Sequence, residues 1–156
     1  MNMTGFTPWC KWKDYRVSFK EYLKYPGVYA LAVSENLEGK PFALFKDIKY
    51  FGMTNSQKGL DGRLRQFQNT IEKGVGHGGA NRFIAYYKKE GRYKYFIDNL
   101  YVSIRPFECG LNWYKAEDLE IMGEIAQFEY YCIASYLREY KALPWFNDKQ
   151  KYPKIY

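Results

Sequence analysis

The sequence predicts an α+β fold, in which helices flank a small, mainly antiparallel sheet of three strands. Three observations support this prediction: two apolar runs of strand length, a regular helical spacing of apolar residues after them, and a long amphipathic helix near the end. The 156 residues contain no repeat and no Pro- or Ser-rich linker, so we expect one domain. We divide it into an N-terminal arm (1–25), a core (26–147) and a basic tail (148–156).

The strands are predicted from short apolar segments. The first, "VYALAV", follows Pro26-Gly27, and the second, "IKYFGM", follows a polar stretch that suits a loop or hairpin. The third lies within "YKYFIDNLYVSI", which is long enough to form two segments. The two earlier strands therefore precede every predicted helix.

The helices are predicted from periodicity and end signals. Spacings of 4, 3 and 4 positions separate one set of apolar side chains, namely Leu60, Leu64, Phe67 and Ile71. This spacing indicates the buried face of a helix that ends near Lys73. Gly91 and Pro144 supply stop signals for two later helices. These are expected at Asn81–Lys89 and Ala116–Lys141.

The charge of the chain favours an acidic partner. Its 24 Lys and Arg exceed its 17 Asp and Glu, which gives a formal net charge of +7. Nucleic acid is the first candidate and an anionic membrane the second. The 17 tyrosines favour nucleic acid, because a phenol ring can stack on bases. Excess positive charge also occurs in proteins that bind neither, so composition alone leaves the partner open.

Two features predict a cytoplasmic protein with no membrane partner. The first residues contain no apolar signal core, and no run approaches the ~20 apolar residues of a membrane span. The cysteines are odd in number and far apart, without a C-x-x-C pair, which indicates reduced thiols. They are Cys10, Cys109 and Cys132.

Glu129 is the least ordinary residue of the last helix. On a helical wheel it falls near the middle of the apolar half, where a carboxylate is costly unless it is paired, protonated or bound to a metal. One interpretation is a structural ion pair with a core arginine. The other is a metal ligand or an acid/base group, and the sequence pattern leaves both open.

The first helix offers an arginine for either role. Relative to its apolar face, Arg63 sits at the border and Arg65 points roughly to the opposite side. We therefore expect Arg63 to reach inward and Arg65 to lie in solvent. An inward arginine can clamp a phosphate or stabilise charge during phosphodiester cleavage. It can equally form an ion pair with Glu129.

Taken in order, these residues resemble the GIY-YIG nuclease family. "GVY" (27–29) and "YFG" (50–52) stand for the two signature triads, which carry Tyr29 and Tyr50. Considered singly, each tyrosine suits a core position better than a catalytic one. Further matches to the family are Arg63, Glu129 and Asn147. Three departures are Phe51, where Ile or Val is usual, a longer loop between Gly52 and Arg63, and Phe67, where His or Tyr often follows the arginine.

The middle of the chain extends the resemblance to phage homing nucleases. There "KGVGHGGANRFIAYYKKEG" is similar to a family segment in which a Lys-Gly-x-His turn leads into a helix. The resemblance makes His77 a site residue. Without it, His77 would be interpreted as an exposed loop histidine between glycines.

The resemblance implies hydrolysis of DNA with one Mg²⁺ or Mn²⁺ ion per active site, held mainly by Glu129. It further implies that Tyr29 acts as general base or orients water, and that Tyr50 holds the phosphate or the water. Arg63 would stabilise the transition state, and His77 would relay a proton or bind phosphate. Asn147 would orient the site through hydrogen bonds.

The chain is too short for the additional DNA-reading domain of homing nucleases, so a stand-alone restriction-type endonuclease for double-stranded DNA fits best. Cutting both strands then requires a homodimer or sequential nicking. We expect DNA contacts from eight residues: Lys11, Lys13, Arg16, Lys49, Asn55, Lys58, Arg65 and Lys73. The alternatives are a homing- or repair-type nicking nuclease, a non-catalytic nucleic-acid-binding module, and a structural basic protein with Glu129 paired to Arg63.

Overall fold

The computed structural model describes residues 1–74 and 76–153, and it has the predicted α+β class. Helices cover an antiparallel sheet with four strands, one more than expected. The strands are β1 (Cys10–Lys11), β2 (Gly27–Val33), β3 (Ile48–Thr54) and β4 (Leu100–Pro106). Their order in the sheet is β1-β4-β2-β3, and every neighbouring pair is antiparallel.

Five α-helices and two 3-10 turns complete the described part of the chain. The helices are α1 (Tyr15–Ser18), α2 (Gly59–Lys73), α3 (Gly78–Lys89), α4 (Tyr93–Asn99) and α5 (Ala116–Tyr140). The 3-10 turns are Trp12–Asp14 and Trp145–Asn147. Over the described ranges, every helix is too short or too polar to cross a membrane.

The central strand β2 divides the core into two layers. All seven of its residues are buried, because the strand has a neighbour on each side and a covered surface above and below. One surface, which we call the tyrosine face, presents Tyr29, Leu31 and Val33 towards α2, α3 and α4. The other surface, which we call the α5 face, presents Val28, Ala30 and Ala32 towards α5. This alternation follows from the two-residue period of a strand.

The segment 1–25, which we expected to form an N-terminal arm, packs against the rest of the fold. Cys10–Lys11 pairs with β4, and several side chains of the segment join the core of the tyrosine face. These are Cys10, Trp12, Tyr15, Phe19 and Leu23. Their aromatic and apolar surface is removed from water by packing, which stabilises the fold. The basic residues between them remain on the outside.

The stretch 93–99 forms helix α4, whereas the sequence predicted that a strand occupied this region. Its alternating Tyr93, Tyr95 and Ile97 imitate a strand pattern, but only Phe96 of the helix is fully buried. The helix ends at Asn99, whose amide donates to the Tyr95 carbonyl oxygen at 2.9 Å. The third predicted strand therefore begins later, at Leu100.

Candidate active site at the edge of the sheet

Tyr29 reaches from the middle of β2 across the neighbouring strand β3. It pairs in register with Gly52, and its ring lies against that glycine. A Cβ atom at position 52 would come within 2.4 Å of the Tyr29 Oη and Cζ atoms. Gly52 therefore lies inside β3 and leaves room for the phenol ring.

His77 holds the Tyr29 hydroxyl from the opposite side. Its Nε2 atom lies 2.8 Å from Tyr29 Oη, and its ring is buried. Its Nδ1 atom accepts a hydrogen bond from the Ala80 backbone N–H at 3.2 Å, which caps the start of α3. Because Nδ1 is an acceptor, we assign the proton of the neutral ring to Nε2. His77 then donates to Tyr29.

The burial of His77 contradicts its interpretation as an exposed loop residue. Its backbone N–H donates to the Thr70 hydroxyl oxygen at 2.6 Å, which ties the loop to α2. As a result α3 begins at Gly78, before the expected Asn81. The sequence signal for this cap was weak, because histidine is not among the usual N-cap residues.

Tyr50 completes a group of three rings. Its ring centroid lies 6.1 Å from that of Tyr29 and 6.0 Å from that of His77. Gly79 makes this approach possible, since a Cβ atom there would come within 2.9 Å of Tyr50 Cζ. Phe67, which departs from the family pattern, packs edge-on against His77 at 5.3 Å between ring centroids. It forms an apolar wall of the group.

Burial sets the protonation of both tyrosines. It raises the pKa of Tyr29 well above the ordinary value, with a further rise from Tyr50, and Arg63 opposes this. Burial also raises the pKa of Tyr50, against the positive charge of Arg63. Both groups are therefore neutral phenols at neutral pH.

Arg63 and Arg65 lie on opposite sides of α2, as the helical spacing predicted. Arg63 is half-buried, its Nη1 donates to Gln66 Oε1 at 3.2 Å, and its buried Nε has no hydrogen-bond partner among the described residues. Arg65 is exposed, and its Nε lies 2.8 Å from Asp61 Oδ2. Of these two arginines, only Arg65 forms an ion pair with a carboxylate among the described residues.

Glu129 is half-buried on α5, between the buried Ile125 and Cys132. Burial raises the pKa of its carboxyl group, and the charges of Arg63 and Lys149 oppose that rise. Within the described ranges two ion pairs are closer than 4 Å, Lys49–Asp47 and Arg65–Asp61. Neither includes Glu129 or Arg63, so the described residues contain no direct ion pair between these two side chains, although the charge of Arg63 acts on Glu129.

Asn147 holds the backbone of β3 next to this group. Its Nδ2 donates to the Phe51 carbonyl oxygen, and its Oδ1 accepts from the Phe51 N–H, both at 2.9 Å. These two bonds satisfy a residue of a strand that has a neighbour on one side only. Asn147 thereby fixes the position of the strand that carries Tyr50 and Gly52.

Six of the eight residues expected to contact DNA line surface depressions or are exposed. Arg16, Lys58 and Arg65 line one groove of about 450 Å³, together with Lys20 and Lys24. An adjoining depression shares Arg16 and Arg65 and adds Lys13. Lys11 lines a third depression, which shares Lys13 with the second, and Lys73 is exposed at the end of α2.

The other two expected contacts point inward. Lys49 is buried, with its Nζ atom 3.8 Å from the Trp145 ring centroid and 3.8 Å from Asp47 Oδ1. Asn55 donates from Nδ2 to the Met122 carbonyl oxygen at 3.2 Å and joins the end of β3 to α5. Both side chains therefore connect elements of the fold.

The residues present fit a divalent cation with few protein ligands. Within 1–74 and 76–153, no group of three His, Cys, Asp or Glu side chains could enclose a metal. Glu129 offers carboxylate oxygens without an ion-pair partner, which suits an ion that keeps several waters and binds substrate phosphate. The chemistry of this site thus suits Mg²⁺ or Mn²⁺ better than zinc.

Comparison with known proteins identifies no relative of this chain. No family model, no curated protein and no solved structure matches the chain.

One buried charged residue beside the group, Arg82 of α3, was missed by the sequence analysis. Its position among the apolar residues of an amphipathic helix was the available signal.

Proposed function

We propose that the protein is a metal-dependent endonuclease that hydrolyses phosphodiester bonds of double-stranded DNA. The observation that carries the proposal is that Arg63 and Glu129 have no direct ion-pair partner among the described residues. Both charges act on Tyr29, whose hydroxyl is held by His77. Unpaired charges of both signs at one place are costly for a fold. They suit a ligand that brings its own anionic group and cation.

Tyr29 is the better candidate for contact with the attacking water than His77. Both ring nitrogens of His77 already have partners, Ala80 N–H and Tyr29 Oη. His77 therefore acts by positioning, since its Nε2–H stabilises negative charge on the phenol oxygen. Tyr29 can accept a proton only as the phenolate, which forms when added positive charge outweighs the effect of burial. As the neutral phenol it would orient the water with its hydroxyl.

Glu129 would hold the divalent cation. A bound Mg²⁺ or Mn²⁺ would lower the pKa of a nearby water and neutralise charge on the phosphate. Arg63 would bind a phosphate oxygen and stabilise the charge that develops during cleavage, because its Nε is buried and without a partner. Tyr50 would donate its hydroxyl to the same phosphate, and Asn147 would fix the strand that carries Tyr50.

The groove on the outer side of α2 supports a nucleic-acid partner. Five cations line it, against one acid: Arg16, Lys20, Lys24, Lys58 and Arg65, with Asp61. The groove is built into the fold, because the Leu60 and Asp61 N–H groups donate to the Tyr25 and Leu23 carbonyl oxygens at 2.8 Å. Such a surface attracts a phosphate backbone without regard to base sequence.

The biological setting is part of the same proposal. We infer a restriction-type enzyme of the cytoplasm that cuts both strands as a homodimer on DNA or nicks them in sequence. Homing- and repair-type nicking are the alternatives. In the structure all three cysteines are free thiols, which suits a reducing compartment.

The decisive experiment is plasmid cleavage by the wild-type protein and Glu129→Ala, with Mg²⁺ or Mn²⁺ and with EDTA. We expect metal-dependent nicking or linearisation by the wild type and at least about a 10³-fold lower rate for the variant. If both proteins bind DNA and neither cuts it with either metal, the chain is a non-catalytic binding module. Sequencing the ends from a random duplex library then tests site specificity.

A further inference from the structure

Arg82 is a buried charged residue, and none of the roles described so far involves it. It lies on α3 with 7% of its surface exposed, and its Nε has no hydrogen-bond partner among the described residues. Neither of the two ion pairs in the described ranges includes it. A buried guanidinium group without a carboxylate is unfavourable, so a compensating ligand is the physical expectation.

The position of Arg82 directs it towards Tyr50. Arg82 follows Gly79 by one helical turn, and helical side chains lean towards the N-terminus of their helix. Gly79 itself is in close approach to the Tyr50 ring. Burial raises the pKa of Tyr50, while the charges of Arg63 and, to a smaller extent, Arg82 oppose that rise. The charges of both guanidinium groups therefore favour the ionised form of Tyr50.

Two other arginines illustrate how the same chain satisfies this group elsewhere. Arg105 donates from Nε to the Thr4 carbonyl oxygen at 3.1 Å and from Nη1 to the Pro106 carbonyl oxygen at 2.8 Å. Arg65 donates to Asp61. In contrast, Arg63 and Arg82 each have a buried Nε without a partner. The two arginines whose buried Nε lacks a partner are thus the two whose charges act on Tyr50.

We propose that Arg82 and Arg63 together form a binding site for one phosphate group beside the Tyr50 hydroxyl. A phosphate would supply the negative charge and the acceptor oxygens that the two Nε atoms lack within the described residues. Guanidinium groups bind phosphate through paired N–H donors. The proposed function identifies the carrier of this phosphate as DNA. Binding of the phosphate itself does not require cleavage, so it can be tested alone.

The test is thermal unfolding in inorganic phosphate, compared with sodium chloride at equal ionic strength. Phosphate is expected to raise the unfolding temperature of the wild type. For Arg82→Met, we expect an equal or higher unfolding temperature in chloride, because an unpaired buried charge is removed. Its phosphate affinity is expected to fall at least about tenfold.

Two variants exclude a structural explanation. Arg105→Met is expected to lower the unfolding temperature and keep the phosphate response, since Arg105 has its partners within the fold. Arg82→Lys keeps the charge but not the paired donors, so we expect a part of the response. An unchanged phosphate response in Arg82→Met, or a loss of stability in chloride like that of Arg105→Met, overturns the proposal.

The outcome separates this site from the proposed function. A protein that binds phosphate through Arg82 but cuts no DNA contradicts the endonuclease alone. A protein that cuts DNA while phosphate binding is indifferent to Arg82 contradicts the phosphate site alone. Affinity for a labelled 20-base-pair duplex in EDTA, measured for the wild type and Arg82→Met, adds a readout on DNA that needs no cleavage.

Discussion

Two adjoining regions of the molecule differ in whether their buried polar groups have partners. Thr70, His77 and Tyr29 form what we call the satisfied region, where each group is hydrogen-bonded to its neighbour. Arg63, Arg82 and Glu129 form the unpaired region, where charges have no ion-pair partner in the described ranges. The first arrangement stabilises the fold and fixes geometry. The second costs stability, which makes a ligand the simplest reason for it.

The largest expected effect is the loss of cleavage in Glu129→Gln. We expect the rate of plasmid cleavage to fall at least about 10³-fold, because the substituted amide cannot balance a divalent cation. The free energy of unfolding in urea should stay equal or increase, since a half-buried charge disappears. Glu124→Gln, an exposed position on the same helix, is the matched control and should change neither quantity. A marked loss of stability in Glu129→Gln would assign Glu129 to the satisfied region.

Tyr29→Phe is expected to affect both activity and stability. Removal of the hydroxyl leaves the buried His77 Nε2–H without its acceptor, which costs about 1–3 kcal/mol of unfolding free energy. Cleavage should fall about 10²-fold or more. Tyr136→Phe is the control, because it removes another largely buried hydroxyl, which donates to the Lys46 carbonyl oxygen at 2.9 Å. Equal losses of cleavage in the two variants would argue against a role for Tyr29 in the reaction.

Gly52→Ala is expected to disturb the geometry of the satisfied region without removing a polar atom. The new methyl group would overlap the Tyr29 ring, so we expect a loss of about 1–3 kcal/mol in unfolding free energy. Gly123→Ala is the matched control in α5, where nothing lies within 4 Å of the added Cβ. That substitution should stabilise the protein by about 0.5–1 kcal/mol. A neutral Gly52→Ala would mean that the ring can move aside.

The smallest expected effect is the pH dependence of stability that comes from Glu129. Burial raises the pKa of this carboxyl in the folded state, so the folded protein keeps a proton that the unfolded chain has released. Its contribution to stability is complete below the unfolded pKa and is lost as the pH rises through the folded pKa. As the pH rises above the ordinary carboxyl pKa of about 4, the wild type should therefore lose stability relative to Glu129→Gln in urea unfolding. A difference that is constant with pH would contradict the raised pKa.

Periodicity made the local features predictable from sequence. The spacing of the apolar residues fixed the face of α2, and with it the inward Arg63 and the outward Arg65. The same reasoning identified Glu129 as a carboxylate within an apolar helix surface. These predictions succeeded because a helix repeats every 3.6 residues whatever the rest of the chain does.

Features that depend on distant contacts were not predictable. The buried His77 is hydrogen-bonded to Tyr29, 48 positions earlier in the chain, and Asn147 is hydrogen-bonded to Phe51, 96 positions earlier. Lysine is a residue type that usually lies at the surface, but Trp145, from a 3-10 turn distant in sequence, covers Lys49. The pairing of Cys10–Lys11 with β4 likewise joins two distant parts of the sequence. In each case tertiary packing decides exposure, and no local pattern encodes it.

Asn147 also bears on self-association. A strand with one free side is a template on which another chain can add a strand, the first step of many aggregates. On β3, the Asn147 amide already occupies the Phe51 N–H and carbonyl oxygen that such a strand would need. A homodimer on DNA is therefore expected to use another surface. Asn147→Ala would expose this template, and sedimentation of the variant should reveal larger species that the wild type lacks.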